Sequence, residues 1–301
     1  MSHLKTLILA CSPATIWGIL FVMATPIFQE ISPIYFATIR YLPSAMVVFI
    51  VLYVVEGRAA FKLDKMSFYA FLLGAFSMTG FNVLVWMGVN LSSGVMGAVI
   101  NPIMPLFAII VSFILFRQKF NTLTFVIILI AFVGVFIAAS EGNLAFLTEG
   151  NPLGVLLIII GCIMATFSGV LAPKFKDYSV LRFTAITSIG GITFFILFAY
   201  VETMLGYANF PTWQNIVNIK WELLYTVVLA GTFPMLLWFR ALKIIGAVNV
   251  MLLNNLIPVV AIIGSILMGY GVTNFEIIGA TFVISAMALH YFNVKRTTHA
   301  I

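Results

Sequence analysis

The chain has 301 residues, of which 63% are apolar and only 8% are charged, with a formal net charge of +6. A soluble domain carries about 25% charged residues. The composition therefore excludes a soluble globular protein, as well as a disordered chain, a collagen-like fibre and a disulfide scaffold. We expect a membrane protein that crosses the bilayer several times.

Ten apolar runs have the length of membrane helices, which need about 20 residues each. In chain order they are Leu7–Phe28, Ile34–Val55, Phe68–Val89, Val95–Phe116, Leu123–Ala139, Leu153–Ala172, Leu181–Val201, Leu223–Ala241, Val248–Met268 and Phe275–Phe292. Membrane strands would be about ten residues long with alternating polarity, which these runs lack. No stretch has the composition of a domain linker. The sequence predicts an all-α polytopic membrane protein with ten transmembrane helices.

The first span has one feature of a signal peptide, because Val22-x-Ala24 has the form of a cleavage site. Its apolar run is longer than the roughly 7–15 residues of a signal, so we interpret it as a transmembrane helix. Cys11 and Cys162 both fall inside spans, where they are typical of small buried residues. We predict neither a disulfide nor a metal site from them.

Basic residues collect on one side of the predicted spans. With a cytoplasmic N-terminus, the inner connections and tails hold 13 of the 15 basic residues: Lys5, Arg58, Lys62, Lys65, Arg117, Lys119, Lys174, Lys176, Arg182, Arg240, Lys243, Lys295 and Arg296. Only Lys220 falls on the outer side. This split follows the positive-inside rule, so we predict both termini in the cytoplasm and expect the bacterial inner (plasma) membrane as the location. The basic net charge then reflects topology and not a nucleic-acid partner.

The sequence resembles itself across its midpoint. Cys11-Ser-Pro-Ala-Thr-Ile-Trp-Gly18 aligns with Cys162-Ile-Met-Ala-Thr-Phe-Ser-Gly169 at an offset of 151 residues, with four identities in eight positions. Asn101-x-x-x-Pro105 matches Asn254-x-x-x-Pro258 at an offset of 153. Together these matches predict a duplicated five-helix unit. Because five is an odd number, we predict that the second copy is inverted in the membrane, an architecture known from secondary transporters.

Six short motifs, in this order and spacing, carry a resemblance to a known family. They are Ala14-Thr-Ile-Trp17-Gly18, Phe36-Ala-Thr-Ile-Arg40-Tyr-Leu, Asn101-Pro-Ile-Met-Pro105-Leu, Phe113-Ile-Leu-Phe116, Arg240-Ala-Leu-Lys243-Ile-Ile-Gly-Ala247 and Asn254-Asn-Leu-Ile-Pro258-Val. The sequence resembles the drug/metabolite transporter superfamily, specifically its ten-helix EamA-like members. The resemblance implies five-helix repeats at residues 1–147 and 148–301. It also implies substrates such as amino acids, nucleobases or amphiphilic drugs.

The chain departs from that family at two positions. The family often has a glutamate after the fourth and ninth helices, where this sequence has Gln118 and Gly271. No role of those carboxylates is therefore transferred to this chain.

Four prolines lie inside predicted spans and are candidate hinges: Pro102, Pro105, Pro234 and Pro258. Each lacks an N–H donor and loosens the preceding turn of helix. Solute sites of inverted-repeat transporters lie near the midplane, where helices break and free their backbone groups. The alternative is an ordinary kink that neighbouring helices satisfy.

Uncharged amides inside the spans are candidate substrate ligands: Asn82, Asn101, Asn254 and Asn255. An amide supplies two donors and two acceptor lone pairs, which suits a carboxylate, an ammonium group or a heterocycle. The alternative for each is an interhelical hydrogen bond, which contributes about 0.6 kcal/mol in membranes.

Three tryptophans, Trp17, Trp86 and Trp238, are candidates for stacking on a flat or cationic solute. Trp213 and Trp221 fit an interfacial belt better, since they lie in the longest connection between spans. Arg40 is the only charge well inside a span, about two turns from its outer end. An intramembrane arginine is functional by default, and the alternatives are snorkelling to the outer headgroups or binding to backbone carbonyls.

We expect a secondary transporter of small organic metabolites such as amino acids, acting as an exporter and needing no cofactor or metal ion. Its partners would be the solute and the membrane lipid, and the sequence leaves the oligomeric state open. No carboxylate lies within a span interior, so we predict transport driven by the solute's own gradient, or proton coupling through another group. A membrane-embedded enzyme and a sensory protein are the alternatives. The enzyme is disfavoured because H-E-x-x-H and G-x-S-x-G motifs are absent.

Overall fold

The computed structural model describes residues 3–91, 104–118, 122–140, 142–143, 152–267 and 274–298. All regular structure in these ranges is helical, and they contain no strand. For these residues the prediction of an all-helical fold is confirmed. The count of ten spans and the inversion of the repeats stay predictions.

Six α-helices lie in the described part of the first half: α1 (His3–Glu30), α2 (Pro33–Glu56), α3 (Lys65–Leu73), α4 (Gly80–Leu91), α5 (Met104–Phe116) and α6 (Thr122–Ser140). A π-helical segment, Gly74–Thr79, joins α3 to α4, so the third predicted span is one helix with a widened turn. Polar side chains fix the helix starts. Ser32 Oγ accepts a hydrogen bond from the Tyr35 N–H (3.2 Å), and Asp64 forms a reciprocal capping box with Ser67.

Eight α-helices lie in the described part of the second half: α7 (Pro152–Leu171), α8 (Val180–Met204), α9 (Trp213–Asn218), α10 (Lys220–Val228), α11 (Thr232–Ile245), α12 (Ala247–Leu253), α13 (Leu256–Leu267) and α14 (Asn274–Thr298). The eighth and ninth predicted spans, Leu223–Ala241 and Val248–Met268, are therefore interrupted and not continuous. Residues 229–231 separate α10 from α11, and residues 254–255 separate α12 from α13. We call these the eighth-span break and the ninth-span break.

The described helices have the length and surface of a membrane protein. Five helical segments among them are long and apolar enough to cross a bilayer: Pro33–Glu56, Lys65–Gly88, Leu153–Lys174, Val180–Met204 and Lys220–Ile245. Large apolar side chains cover their outer surface, for example Ile50 and Val54, which are 63% and 75% exposed. So much exposed apolar surface requires a lipid surrounding.

The two halves of the chain pack into each other and not side by side. Helix α1 packs against α11 and α13, and helix α7 packs against α4 and α5. Helix α2 packs along α8, and helix α6 packs along α14. Each of these contacts joins one half to the other, so the buried core lies between the halves.

Polar contacts tie the halves together at one end of the bundle, which we call the Glu30 end. The Glu30 carboxylate accepts hydrogen bonds from Nδ2 of Asn215 (2.8 Å) and of Asn218 (3.0 Å). These bonds lower the pKa of Glu30 below its ordinary value, and the bond from Asn215 has the larger effect. Close by, Ser32 Oγ donates to Glu202 Oε2 at 2.8 Å.

A second set of contacts joins the halves at the opposite end of α2, the Asp64 end. The Tyr178 hydroxyl donates to the Asp64 carboxylate, and Arg182 Nη2 forms an ion pair with it at 3.2 Å. The Tyr178 bond, then the bond from the Ser67 N–H, and the Arg182 charge lower the pKa of Asp64 to about 2. Residues predicted to face the cytoplasm, such as Lys62, lie at this end.

Candidate substrate-binding site

The eighth-span break leaves a backbone carbonyl near the predicted midplane without its usual helical hydrogen bond. Pro234 has no N–H to donate to the carbonyl of Ala230, which lies four residues earlier. The indole Nε1 of Trp17, on α1, donates to this Ala230 oxygen at 3.3 Å. A second bond, from the Tyr225 hydroxyl to the Ile16 carbonyl at 2.7 Å, holds α1 against α10. The predicted site residue Trp17 is thus attached to the freed backbone of a broken helix.

Two of the predicted tryptophans are brought together beside this break. The rings of Trp17 and Trp238 have their centroids 5.7 Å apart, with planes inclined by 58°. Trp238 is buried, and Trp17 is partly buried. Trp17 therefore contacts both the eighth-span break and Trp238.

The ninth-span break is a tightened turn. The Asn255 N–H donates to the Leu252 carbonyl at 3.1 Å, and the Ile257 N–H donates to the Asn254 carbonyl at 2.9 Å. Both bonds span three residues and not four, as in a 3₁₀ turn. Pro258 contributes to this pattern, because it has no N–H for the carbonyl of Asn254.

The two amides of the ninth-span break have atoms without partners. Asn254 Oδ1 and Asn255 Nδ2 are buried, and neither has a hydrogen-bond partner among the described residues. Asn255 is only 3% exposed. A buried unsatisfied polar atom costs about 1–3 kcal/mol. One acceptor and one donor on adjacent residues are complementary to a solute that carries both a donor and an acceptor.

Helix α1 connects the two breaks. Gly18 packs so closely on α13 that a Cβ added to it would lie 2.6 Å from Cβ of Val260 and 2.9 Å from the carbonyl oxygen of Ile257. The neighbouring Trp17 meanwhile bonds to the eighth-span break. The tryptophan pair and both breaks therefore gather around the middle of α1.

A cavity of about 460 Å³ lies at the Asp64 end, between α5, α7 and the junction of α11 with α12. Its polar lining includes Ser112, Gln118, Lys174 and Asn249. Helix α12 begins in the cavity wall at Ala247 and ends just before the ninth-span break. Its seven residues span about 10 Å, so the cavity and the unpartnered amides lie at the two ends of one short helix.

Arg40 lies on the other side of the eighth-span break. It is 6% exposed, its Nη2 donates to the Tyr41 hydroxyl, and its Nε has no partner among the described residues. One turn further along α2, Ser44 Oγ donates to the Arg40 carbonyl at 2.9 Å. The Ser44 carbonyl in turn accepts from Thr232 Oγ1 at 2.8 Å, and Gly231 packs against the Ser44 side chain.

Three other predicted site residues lie on α4 and α5 and not at the two breaks. Asn82 Nδ2 donates to the Met78 carbonyl at 2.8 Å, within the π-helical turn, and Trp86 packs against Phe28 with centroids 4.8 Å apart. Pro105 is buried in α5, next to the first residue of that helix that the structure describes. Asn101 and Pro102 lie outside the described residues.

The sequence interpretation missed the residues that form the eighth-span break and its contact with α2, namely Ala230, Gly231 and Ser44. A signal for the break is present in Gly231-x-x-Pro234, since glycine and proline at this spacing disfavour a continuous helix. Ser44 has no such signal, because its role depends on which helix packs beside it.

Known proteins resemble this chain along its length. The EamA-like transporter family model matches residues 4–140 and residues 152–292. Uncharacterized transporter YrdR of Bacillus subtilis (strain 168) is 30% identical over 94% of this chain and 90% of its own. Uncharacterized transporter YyaM of the same organism is 28% identical over 94% of this chain and 92% of its own. One crystal structure shares the fold with a TM-score of 0.78 at 11% identity, and covers 98% of this chain and 99% of its own.

Proposed function

This chain belongs to the EamA-like transporter family, and on that premise we propose that it is a secondary transporter of small organic metabolites such as amino acids. The observation that carries the proposal is the ninth-span break, where Asn254 and Asn255 keep buried amide atoms without partners in the described chain. A solute with its own donor and acceptor would complete both hydrogen bonds. The Trp17–Trp238 pair would contact the apolar part of such a solute.

The two halves of this transporter are inverted copies of one five-helix unit. Each predicted span has a counterpart five spans later. When every span is replaced by its counterpart, the contacts of α1 with α11 and α13 become the contacts of α7 with α4 and α5, and both sets are present. The same exchange leaves the pairs α2–α8 and α6–α14 in place. The separate family matches to residues 4–140 and 152–292 also support two copies.

Irregular turns at equivalent places support the same proposal. The third span has its π-helical turn at Gly74–Thr79, and the eighth span is broken at residues 229–231. A Cβ added to Gly74 would lie 1.9 Å from the Thr187 carbonyl oxygen on α8, and one added to Gly231 would lie 1.9 Å from Ser44 Oγ on α2. Each glycine thus allows the third span of one half to touch the second span of the other.

Inverted halves allow alternating access, because the molecule can adopt two related conformations in which the solute site is open to one side of the membrane or to the other. The cavity beside Gln118 and Lys174 lies at the Asp64 end, which we assign to the cytoplasm from the distribution of basic residues. Contacts between the halves occur at both ends, at Glu30 and at Asp64. The cavity is therefore the feature that supports an inward-facing state, in which an exporter takes up its solute.

The protein reconstituted into liposomes should exchange radiolabelled L-phenylalanine, or another amino acid that raises its melting temperature. Asn255→Leu should lower this flux at least tenfold, because it removes the unpartnered donor. The same change should leave the melting temperature equal or higher, since an unsatisfied buried group is replaced by an apolar one.

Asn82→Leu is the matched control for stability. Its amide is hydrogen bonded to the Met78 carbonyl, so its loss should lower the free energy of unfolding by about 0.5–1.5 kcal/mol. Unchanged flux in Asn255→Leu, or a fall in its melting temperature like that of Asn82→Leu, would mean that the ninth-span amide is structural. Failure to exchange any solute would contradict the transporter itself.

A further inference from the structure

Arg40 is a buried cation without a counterion in the described part of the chain. It is 6% exposed, and no ion pair joins it to a carboxylate there. Arg182 also has an Nε without a partner among the described residues, but its guanidinium forms an ion pair with Asp64 at 3.2 Å. A charge inside a membrane span is retained only where a function or a partner requires it.

The contacts of Arg40 stabilise its charge but do not neutralise it. The guanidinium carbon lies 4.2 Å from the centroid of the Tyr41 ring and 5.4 Å from that of Phe36, within the range of cation–π attraction. The Tyr41 hydroxyl accepts one hydrogen bond. The Nε donor has no acceptor among the described residues, so the group still lacks a hydrogen bond and a negative charge.

The structural alternatives do not account for this arrangement. A snorkelling side chain would reach the lipid headgroups and be exposed, whereas Arg40 is buried and the ring of the neighbouring Tyr41 stacks on Phe195 of α8. Binding to backbone carbonyls is not seen among the described residues, where the guanidinium donates through Nη2 to the Tyr41 hydroxyl and Nε has no partner. A reversibly bound anion would leave the Arg40 guanidinium without a counterion in the unbound protein, as observed.

The walls around Arg40 indicate what else such an anion would carry. Tyr41 stacks on Phe195 with centroids 5.4 Å apart and planes inclined by 10°, and Phe36 packs on Phe28 at 5.6 Å. A cation surrounded by aromatic rings matches a carboxylate attached to an apolar or aromatic body. Ser44, one turn away, joins this group to the eighth-span break.

We propose that Arg40 binds the carboxylate of the transported solute, and that the substrates are apolar or aromatic carboxylic acids, including amino acids. This inference rests on the proposed transport function and specifies its substrate class. The guanidinium would form a charge-assisted hydrogen bond through Nε, which supplies the missing partner and the missing negative charge together.

Matched pairs of acids and amides test this directly. The purified protein is heated with 3-phenylpropionate, phenylacetate, hexanoate or L-phenylalanine, and separately with the amide of each. At least one acid should raise the melting temperature in a saturable manner, and its amide should not. No shift with any acid, or equal shifts with an acid and its amide, would overturn the proposal.

Variants of the arginine provide the second arm. Arg40→Met should weaken the apparent Kd of the stabilising acid at least tenfold without lowering the melting temperature of the free protein, because it removes an uncompensated charge. Arg40→Lys keeps the charge, so this variant should still be stabilised by acids and not by their amides. If Arg40→Met does not fold, equal stabilisation of Arg40→Lys by an acid and its amide would overturn the proposal. Arg182→Met is the matched control, and should lower stability while the acid shift persists.

Transport measurements separate this proposal from the proposed function. Flux of the stabilising acid that Arg40→Met leaves unchanged would overturn the carboxylate site and leave the transporter standing. An acid shift of undiminished size in Arg40→Met would overturn the site as well. Absence of flux with every solute would instead contradict the transport function.

Discussion

At the scale of single residues, Arg40, Asn254 and Asn255 share one property. Each buries a polar atom that has no hydrogen-bond partner in the part of the chain described by the structure, and Arg182, which is paired with Asp64, also has such an atom. An unpaired atom costs about 1–3 kcal/mol, and more when it is charged. Such groups are expected at sites of function, where a bound ligand offsets the cost, and among the described residues Arg40, Asn254 and Asn255 have no ion pair that would explain them otherwise.

Residue type and depth were sufficient to select these candidates, because a charge or an amide inside an apolar run is unusual. Their partners were not predictable. Trp17 reaches the carbonyl of Ala230, 213 positions away, and only the packing of α1 on the eighth span brings the two together. Asn82 was selected by the same criterion, yet its amide bonds to Met78 on its own helix.

The Asp64 carboxylate gives a pH-dependent prediction. Its pKa is about 2 in the folded protein, mainly because the Tyr178 hydroxyl donates to it, compared with about 3.9 in an unfolded chain. A lowered pKa stabilises the folded state above the unfolded value, and this contribution is lost as the pH falls towards 2. Asp64→Asn should therefore reduce the melting temperature at pH 7, and the difference from the wild type should narrow below about pH 4.

Thermal unfolding in detergent between pH 7 and pH 3 measures this difference. Asp177→Asn, at an exposed position in the same connection as Tyr178, is the control and should change stability by less than about 0.5 kcal/mol. A gap between wild type and Asp64→Asn that stays constant down to pH 3 would argue against the Tyr178–Asp64 contact.

At the scale of helices, the interruptions of the eighth and ninth spans are the features that the apolar runs did not reveal. Hydropathy measures how apolar a segment is, and a broken helix in a membrane is as apolar as a continuous one. Two prolines lie in the interrupted helices. Pro234 follows Ala230 by four residues, and Pro258 follows Asn254 by four residues, so neither carbonyl receives the hydrogen bond of a continuous helix. Their hinge role stays a prediction.

The close glycine contacts give a prediction about these helices. Gly74→Ala places Cβ 1.9 Å from a backbone carbonyl, that of Thr187, which cannot move aside without shifting α8. Gly231→Ala meets Ser44 Oγ at the same distance, but this atom belongs to a side chain. We expect each substitution to destabilise the protein by about 1–3 kcal/mol. Adding Ser44→Ala should restore part of the stability lost in Gly231→Ala, and none of that lost in Gly74→Ala.

A double-mutant cycle measures that restoration, with Ser44→Ala alone as its control. Recovery should be incomplete, because the added Cβ of residue 231 would also lie 2.8 Å from the Val227 carbonyl oxygen. Strictly additive losses for Ser44→Ala and Gly231→Ala would contradict the close packing of α2 on the eighth-span break.

At the scale of the whole molecule, membrane insertion and family membership could be inferred from composition and short motifs. The inversion of the halves stays a prediction, made from the odd number of helices in each half, and the packing that supports it was not predictable from the sequence. The α1–α2 connection at Glu30 meets the α8–α9 segment, and the connection at Asp64 meets the one that holds Tyr178. Equivalent connections of the two halves therefore lie at opposite ends of the bundle, as inverted copies require.

Membrane-sided labelling of single cysteines tests this inversion most directly. Gln29→Cys and Asp177→Cys mark the connection after the first span of each half, and Leu63→Cys and Gln214→Cys mark the connection after the second. All four positions are exposed, and Cys11 and Cys162 would be replaced beforehand. In intact cells an impermeant maleimide should label positions 29 and 214, while positions 63 and 177 should react only after permeabilisation. Labelling of both members of either pair from the same side would contradict the inverted arrangement and the alternating access built on it.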